Sequence, residues 1–205
     1  QSETVEVIVA LGLHRPLTPL ELGPLRRICD EHGALLRQHD PDDPNLQHIS
    51  EDPPGWFAPD LIAADLIVCA GVVEPHQYAG YSGGIKGLGI GCAGRKTINW
   101  MHGLEFLRES TTGVGKLEGN RFQESLWQVA SVFKQVWGVF VVPGGGVYSG
   151  PVRAAFEAAT EDAASRHFVE VATPVEWLRL VVPPTKASNF YQASGAATYA
   201  ALVDR

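Results

Sequence analysis

An apolar segment that leads directly into a glycine-rich loop places the strongest constraint on the fold of this chain. Residues 65–73 are apolar after the first, which predicts a strand that is buried on both faces. The loop that follows, to about Gly94, carries His76 near its start and contains one lysine, Lys86. An imidazole and a reactive amine in one glycine loop suggest a cofactor that is held by its phosphate and anchored through nitrogen.

Strand and helix patterns alternate along almost the whole chain, which predicts an α/β fold. Val5–Leu11 is a β-rich apolar segment, and Thr18 begins a Thr-Pro-Leu-Glu capping box whose helix is expected to stop at Gly33. We expect a mostly parallel sheet with flanking helices in a domain at 1–173. Residues 174–205 are expected to start a second small α/β domain or to form a C-terminal extension.

The remaining segments are interpreted in the same way. Residues 40–60 are rich in Asp, Pro and polar residues, which predicts a long surface loop with at most an edge strand. The other predicted strands lie at 34–39, 139–142, 168–172 and 178–182, and the other predicted helices lie at 95–101, 120–136, 151–166 and 189–203.

Charge, hydropathy and cysteine content exclude several classes of protein. The net charge of -7 argues against a nucleic-acid binder, because phosphate contacts need a basic face. The apolar runs are far shorter than the ~20 residues that span a bilayer, and no signal-peptide pattern opens the chain. Cys29, Cys69 and Cys92 are odd in number and form no C-x-x-C motif, so a disulfide framework is not expected. We therefore expect a cytoplasmic protein without a membrane partner.

The glycine-rich loop has two interpretations that the residues alone leave open. Closely spaced glycines allow a backbone that wraps an anion, but they are equally typical of a plain turn. The loop is not a Walker motif, because Ile85 and Gly87 stand on either side of Lys86 where Gly and Ser or Thr would be needed. It also lacks the Gly-x-Gly-x-x-Gly dinucleotide fingerprint. A phosphate-loop kinase is accordingly disfavoured.

Two histidines each follow a predicted strand. His14 lies in the connection between the first strand and the first helix, and His76 follows the apolar segment at 65–73. Such positions suit proton transfer near pH 7, although a single histidine there is more often structural. Lys86 is by default a solvated lysine, but partial burial between Ile85 and Leu88 would lower its pKa and make the amine a nucleophile.

His102 and Lys186 are the remaining candidates. His102 follows a predicted helix, and no second metal-ligand motif accompanies it, so a metal there would need most of its ligands from a cofactor. Lys186 precedes Asn189 near a predicted helix start. It is either a solvated lysine or a cation directed at a substrate carboxylate.

Three motifs in the same order resemble those of the nickel-pincer lactate racemase family. The longest is Gly-Val-Val-Glu-Pro-His-x-x-Ala-Gly-Tyr-Ser-Gly-Gly-x-Lys, at 71–86, which continues through Thr-Ile to His102. Upstream stands Gly-Leu-His-Arg-Pro-Leu-Thr at 12–18, and downstream stands Lys-x-x-Asn-Phe-Tyr-Gln-Ala at 186–193. The motifs are spread over most of the chain, so chance similarity is not expected.

The resemblance implies an isomerase, a racemase or epimerase of a small 2-hydroxy carboxylic acid. Its cofactor would be a nickel-pincer nucleotide, a pyridinium-derived mononucleotide that grips nickel through S, C and S donors. By this resemblance the tether to the cofactor is Lys86, and the fourth nickel ligand is His102. The catalytic residues are His14, His76 and Lys186, and further cofactor contacts come from Ser82, Gly83 and Gly84.

The sequence departs from the family pattern at several points. Ile85 stands where the family usually has Arg, and the stretch 88–91 lacks the usual Leu-Pro-Gly. Family members are also longer, so the chain is either a fragment or a natural short relative. The alternative function is therefore a short non-catalytic or differently catalytic homologue that binds a nucleotide or acts as a subunit. Expected partners are the 2-hydroxy acid and the enzymes of cofactor biosynthesis; homo-oligomer formation is left open.

Overall fold

The computed structural model describes residues 4–168 together with Arg179 and Val181. The strands are β1 (Glu6–Val9), β2 (Leu35–Gln38), β3 (Gln47–Glu51), β4 (Pro54–Phe57), β5 (Ile67–Val72), β6 (Pro75–His76), β7 (Gly80–Tyr81), β8 (Val136–Val141) and β9 (Val147–Pro151). The helices are α1 (Pro19–His32), α2 (Pro59–Ala63), α3 (Lys86–Gly89), α4 (Arg95–Met101), α5 (Leu104–Leu107), α6 (Arg121–Ala130) and α7 (Val152–His167).

The strands form separate small sheets. β1 pairs in parallel with β2, and β5 pairs in parallel with β8, which β9 extends in the antiparallel sense. β3 with β4 and β6 with β7 form short antiparallel pairs. The predicted α/β class is thus confirmed, although the sheets are not purely parallel.

The first helix follows its sequence prediction closely. The Thr18 hydroxyl accepts from the backbone N–H of Glu21, whose carboxylate accepts from the backbone N–H of Thr18. Proline stands in the first turn, and Gly33 ends the helix with φ +66°. α1 therefore carries the chain from the end of β1 back to the start of β2, as a parallel pair requires.

The core lies on one face of the β5–β8–β9 sheet. The glycine-rich loop and α7 cover this face, α7 packs against both β8 and β9, and α6 packs against α3 of the loop. Aromatic and aliphatic side chains fill the space between these layers. The largest fully buried ones on these elements are Phe122, Phe140, Ile85 and Leu126.

Several predicted boundaries were wrong. β5 is not buried on both faces, because Cys69 is buried whereas Val68 and Val72 remain 55% and 47% exposed. The helix predicted at 120–136 ends at Ala130, since Val136 pairs with Ile67 and starts β8. The loop predicted at 40–60 contains the β3–β4 hairpin and the start of α2.

The predicted elements at 168–172, 178–182 and 189–203, and the predicted domain at 174–205, lie outside the described residues apart from three single positions. Within the described part of the chain, no helix combines the length and the apolar character needed to cross a bilayer.

Candidate functional site

A cavity of about 750 Å³ opens where the carboxyl ends of β1 and β5 meet the glycine-rich loop. In parallel α/β arrangements this is the edge at which ligands bind. The residues that line it include most of those selected from the sequence, namely His14, His76, Gly83, Gly84, Lys86 and His102. The fold therefore brings together groups that are up to 88 positions apart in the sequence.

Ser82 fastens the loop to the end of β5. Its hydroxyl donates to the carbonyl of Val72 at 2.8 Å and accepts from the N–H of Glu74 at 3.0 Å. The Ser82 N–H also donates to the Glu74 carbonyl at 2.8 Å. These bonds give Ser82 a structural function that the sequence did not show, and its expected cofactor contact stays a prediction.

Gly83 and Gly84 occupy positions that no larger residue fits. Their φ values are +76° and +55°, in the left-handed region that favours glycine. A Cβ on Gly84 would lie 2.6 Å from the Phe156 ring, and one on Gly83 would lie 2.7 Å from a methyl group of Val73. Close packing therefore explains both glycines, whether or not the loop also holds a phosphate.

Lys86 is the first residue of α3 and lines the cavity. Burial lowers the pKa of Lys86, in the direction that the sequence predicted. Among the described residues we find no hydrogen-bond or ion-pair partner for its side chain. A partly buried amine without a counter-charge is more readily deprotonated, and a neutral amine can form a covalent bond to an electrophile.

Among the described residues, one ring nitrogen of His102 has a hydrogen-bond partner and the other has none. Its Nδ1 lies 2.8 Å from the carbonyl of Ile98, and because a carbonyl only accepts, Nδ1 carries the proton. The neutral ring then has its lone pair on Nε2. Burial, followed by the charge of Lys86, lowers the pKa of His102 against the effect of this hydrogen bond. A neutral imidazole whose other nitrogen donates to a backbone carbonyl is the usual arrangement of a metal-ligating histidine.

His76 has the opposite tautomer. The backbone N–H groups of Tyr78 and Ala79 donate to its Nδ1 at 3.1 and 3.2 Å, so the proton of the neutral ring must sit on Nε2. Burial is the main cause that lowers the pKa of His76 to about 3, and the nearby Lys86 and His102 act in the same direction. In this structure His76 is a neutral hydrogen-bond donor.

His14 differs from His76 in its surroundings. It follows β1 in a turn closed by its own N–H and the carbonyl of Leu11, and its side chain is exposed. The N–H of Gly12 donates to the carbonyl of Gly91 at 2.9 Å, which ties the end of β1 to the glycine-rich loop. The two histidines therefore share one cavity but reach it from a solvent-exposed and a half-buried position.

The sequence did not identify Tyr78 and identified Asn120 only as a helix cap. The Tyr78 ring stands 6.0 Å from the rings of both His76 and His102, centroid to centroid. Asn120 is fully buried and donates to the carbonyl of Tyr78 at 2.7 Å while its amide oxygen caps α6 through Gln123. The sequence pattern does not show that Asn120 is buried, and without this its contact with Tyr78 could not be predicted.

Two further expectations have a simple outcome. Lys186 lies outside the described residues, so its predicted role is untested. Within the described residues, no group of three or more His, Cys, Asp and Glu side chains is arranged to bind a metal ion.

Comparison with known proteins identifies relatives of one kind. Residues 1–115 match the family described as the lactate racemase N-terminal domain. The lactate racemase of Lactiplantibacillus plantarum is 29% identical over 147 residues, 67% of this chain and 34% of the relative. That of Thermoanaerobacterium thermosaccharolyticum is 30% identical over 124 residues, 58% of this chain and 29% of the relative. The matched region thus spans about a third of the length of these relatives.

Solved structures support the same fold. The lactate racemase apoprotein from Thermoanaerobacterium thermosaccharolyticum matches with a TM-score of 0.68 at 24% identity, covering 77% of this chain and 40% of that chain. A protein from Thermotoga maritima matches with a TM-score of 0.67 at 18% identity, covering 83% of this chain and 49% of that one.

Proposed function

Since the chain belongs to the lactate racemase N-terminal domain family, we propose that it carries the cofactor-binding half of a racemase or epimerase site for a small 2-hydroxy carboxylic acid. One observation carries the proposal: the partly buried Lys86 side chain shares a cavity with His14, His76 and His102. A glycine-rich turn with only a structural function would not need an uncompensated amine among three imidazoles.

The described residues fit a nickel-pincer nucleotide. Lys86 offers an amine that burial makes easier to deprotonate, as a covalent tether requires. His102 offers an Nε2 lone pair with its Nδ1 proton already bound to the Ile98 carbonyl, which suits a nickel ligand. Gly83 and Gly84 bring the backbone close to the cavity. When bound, such a group supplies the hydride-accepting chemistry that no protein side chain offers.

The protein's own contribution is the transfer of the hydroxyl proton. Removal of the α-hydrogen as hydride requires a base for the hydroxyl proton, and inversion requires a base on each side of the substrate. We assign these roles to His14 and His76. In the structure His76 has its proton on Nε2, so accepting a substrate proton at that nitrogen requires Nδ1 to give up its bonds from Tyr78 and Ala79. His14 carries no such requirement.

Substrate orientation needs a positive charge. A 2-hydroxy acid carries a carboxylate, and we propose that Lys186 binds it or the carbonyl oxygen that forms during the reaction. This role rests on the resemblance of residues 186–193 to the family motif. The partners would then be the 2-hydroxy acid and the enzymes that make the cofactor.

The test is the mass of the intact protein after co-expression with the enzymes of cofactor biosynthesis. We expect a nucleotide adduct with nickel that Lys86→Ala abolishes. Lys96→Ala is the matched control, because Lys96 is an exposed lysine ten residues away that stacks on Trp56. An adduct that survives in Lys86→Ala, or an unmodified wild-type chain, would refute the tether.

A second candidate is a short homologue that binds a nucleotide or acts as a subunit. The matched region spans only about a third of the relatives, so their similarity to this chain does not by itself carry over their activity. It predicts no bound nickel, and no loss of racemisation in His14→Ala and His76→Ala. Nickel content measured on the co-expressed protein separates the two candidates.

A further inference from the structure

Two buried amide side chains at the start of α6 lie behind the turn that holds His76. The first is Asn120, which is fully buried. Its two N–H donors bond to the carbonyls of Tyr78 and Lys116 at 2.7 and 2.8 Å, and its oxygen accepts from the backbone N–H of Gln123 at 3.2 Å. These three bonds fix the orientation of the amide, because solvent does not reach it and cannot replace them.

Asn120 and His76 bind opposite ends of one peptide unit. The carbonyl of Tyr78 and the N–H of Ala79 belong to the same planar trans peptide and therefore point in opposite directions. Asn120 donates to the carbonyl at 2.7 Å, and the N–H donates to Nδ1 of His76 at 3.2 Å. A donor at the oxygen polarises the peptide and strengthens its N–H as a donor. Asn120 thus acts on the imidazole through a single peptide.

The second amide, Gln123, holds the next peptide unit. It lies in the first turn of α6 and is 5% exposed. In the orientation that satisfies both of its neighbours, its nitrogen donates to the carbonyl of Ala79 and its oxygen accepts from Nε1 of Trp127, each at 3.2 Å. Asn120 and Gln123, which we call the amide pair, therefore fix the peptide units on both sides of Ala79.

The position of these peptides decides which nitrogen of His76 carries the proton. The N–H groups of Tyr78 and Ala79 both donate to Nδ1. A proton on Nδ1 would direct a third N–H at these two and would leave the N–H of Ala79, a fully buried residue, without this acceptor. The proton of the neutral ring therefore lies on Nε2. Because Nδ1 is occupied, Nε2 is the nitrogen that a ligand in the cavity can use.

We propose that Asn120 and Gln123 are positioning residues that hold His76 as a hydrogen-bond donor, with its Nε2–H offered to the hydroxyl or carbonyl oxygen of the 2-hydroxy acid. The identity of that oxygen rests on the proposed function, whereas the hold on the ring does not. A neutral imidazole polarises a substrate oxygen without giving up its proton. Nε2 would have to lose this proton before His76 could act as a base, so the amide pair leaves His14 as the histidine that is ready to accept the hydroxyl proton.

The nitrogen NMR signals of the His76 ring test the hold directly in cofactor-free protein with isotope-labelled histidine. At about pH 8 histidines are neutral, and the His76 signals are identified by their absence from His76→Gln. We expect the wild type to show a protonated Nε2 and an unprotonated Nδ1. In Asn120→Ser and Gln123→Leu, the fraction of rings with the proton on Nδ1 should rise roughly fivefold, as the loss of one hydrogen bond predicts. The two ring signals should accordingly move toward each other.

Two controls separate positioning from a general loosening of α6. Val129→Ala removes fully buried methyl groups from the same helix without touching either amide, so it should lower the free energy of unfolding and leave the ring signals unchanged. Gln128→Leu repeats the glutamine substitution at an exposed position of the helix and should also leave the ring signals unchanged.

Three results would overturn the proposal. They are a wild-type His76 with its proton on Nδ1, ring signals in both amide variants that match the wild type, and an equal change in Val129→Ala. If an amide variant does not fold, Trp127→Phe is a milder test, because it keeps an aromatic ring and removes the N–H that orients Gln123. We expect a smaller change in the same direction, and unchanged ring signals there would refute the function of Gln123.

Racemisation by protein that is loaded through co-expression gives a separate result. Asn120→Ser should lower the rate of racemisation severalfold, and Val129→Ala should not. A rate that Asn120→Ser leaves unchanged would overturn the contact with the substrate oxygen. A wild type that does not racemise counts against the proposed function, and the ring signals still decide whether the amide pair holds His76.

Discussion

The turns that follow β1 and β5 contain the candidate catalytic histidines, His14 and His76, and they are built differently. We call these turns the β1 exit and the β5 exit. At the end of β1, a backbone hydrogen bond from Gly12 to Gly91 and two bonds between the Gln38 amide and Leu17 hold the chain, and His14 is exposed. At the end of β5, the hydroxyl and N–H of Ser82 clamp the exit, and two backbone N–H groups fix the His76 ring. One imidazole can adapt to a ligand, whereas the other is positioned and kept neutral before any ligand arrives.

The difference follows from what lies beneath each exit. The turn after β5 packs on the core through Gly83 and Gly84, and the burial of this region is the main cause that lowers the pKa of His76. The turn after β1 lies above the glycine-rich loop; Leu11 and Gly12 are buried there, whereas Leu13 and His14 are open to solvent. Rigidity at one exit is therefore a consequence of core packing, which can be changed by substitution.

The largest expected effect comes from adding one methyl group at each exit. Gly84→Ala places a Cβ 2.6 Å from the Phe156 ring at a φ of +55°, and we expect it to lower the free energy of unfolding by about 3 kcal/mol. Gly12→Ala has a nearly equal φ of +56°, but its Cβ would meet its nearest neighbour at an ordinary 3.6 Å. It should cost about 1 kcal/mol, from backbone strain alone.

Urea unfolding followed by circular dichroism measures both values. The pair is matched in backbone conformation, so the difference isolates core packing. Equal losses in the two variants would contradict the view that only the β5 exit is built into the core.

Acid should destabilise the folded protein through His76, which follows β5. In the unfolded chain, the His76 imidazole is protonated below its ordinary pKa of 6.5. In the folded protein, burial lowers the pKa of His76 to about 3. Its contribution to stability is therefore complete above pH 6.5 and is lost as the pH falls from 6.5 toward 3. Between pH 7 and pH 5 the wild type should lose about 2 kcal/mol more than His76→Gln.

The comparison of wild type with variant removes other contributions. The pKa values of His39 and His102 are also lowered, so acid destabilises the protein through these residues as well. Both are present in the wild type and in His76→Gln, so their effect cancels in the comparison. Urea unfolding at the two pH values gives the double difference. Parallel losses in wild type and His76→Gln would show that His76 is protonated equally in both states.

Sequence patterns predicted the elements whose causes are local. Thr18 with Glu21 caps α1, and Gly33 ends it, because these signals act within one helical turn. The sequence also indicated that His14, His76 and Lys86 lie in one region, because each comes after a strand or lies in the loop that follows one.

Properties set by distant contacts could not be read in this way. The end of α6 depends on the pairing of Val136 with Ile67 across the β5–β8 ladder. The tautomer of His76 depends on two N–H groups whose orientation the turn determines. Which face of β5 is exposed depends on the elements that pack against this strand. A pattern of apolar residues gives hydrophobicity, but it does not say which neighbour covers it.

The smallest expected effect tests the hydrogen bond by which Asn120 holds the turn after β5. Asn120 donates to the carbonyl of Tyr78 and caps α6 with the same side chain. Asn120→Ser keeps a capping oxygen but removes the donor to Tyr78, so we expect a loss of about 1 kcal/mol in the free energy of unfolding. The segment after β1 is fastened by another side chain, because the Gln38 amide bonds to the backbone of Leu17. Thr18→Ala, which removes the cap of α1, should leave the exchange rates of the Tyr78 and Ala79 amides unchanged. Asn120→Ser should speed both, because these are the N–H groups that hold His76; unchanged rates in Asn120→Ser would show that the ring is held without Asn120.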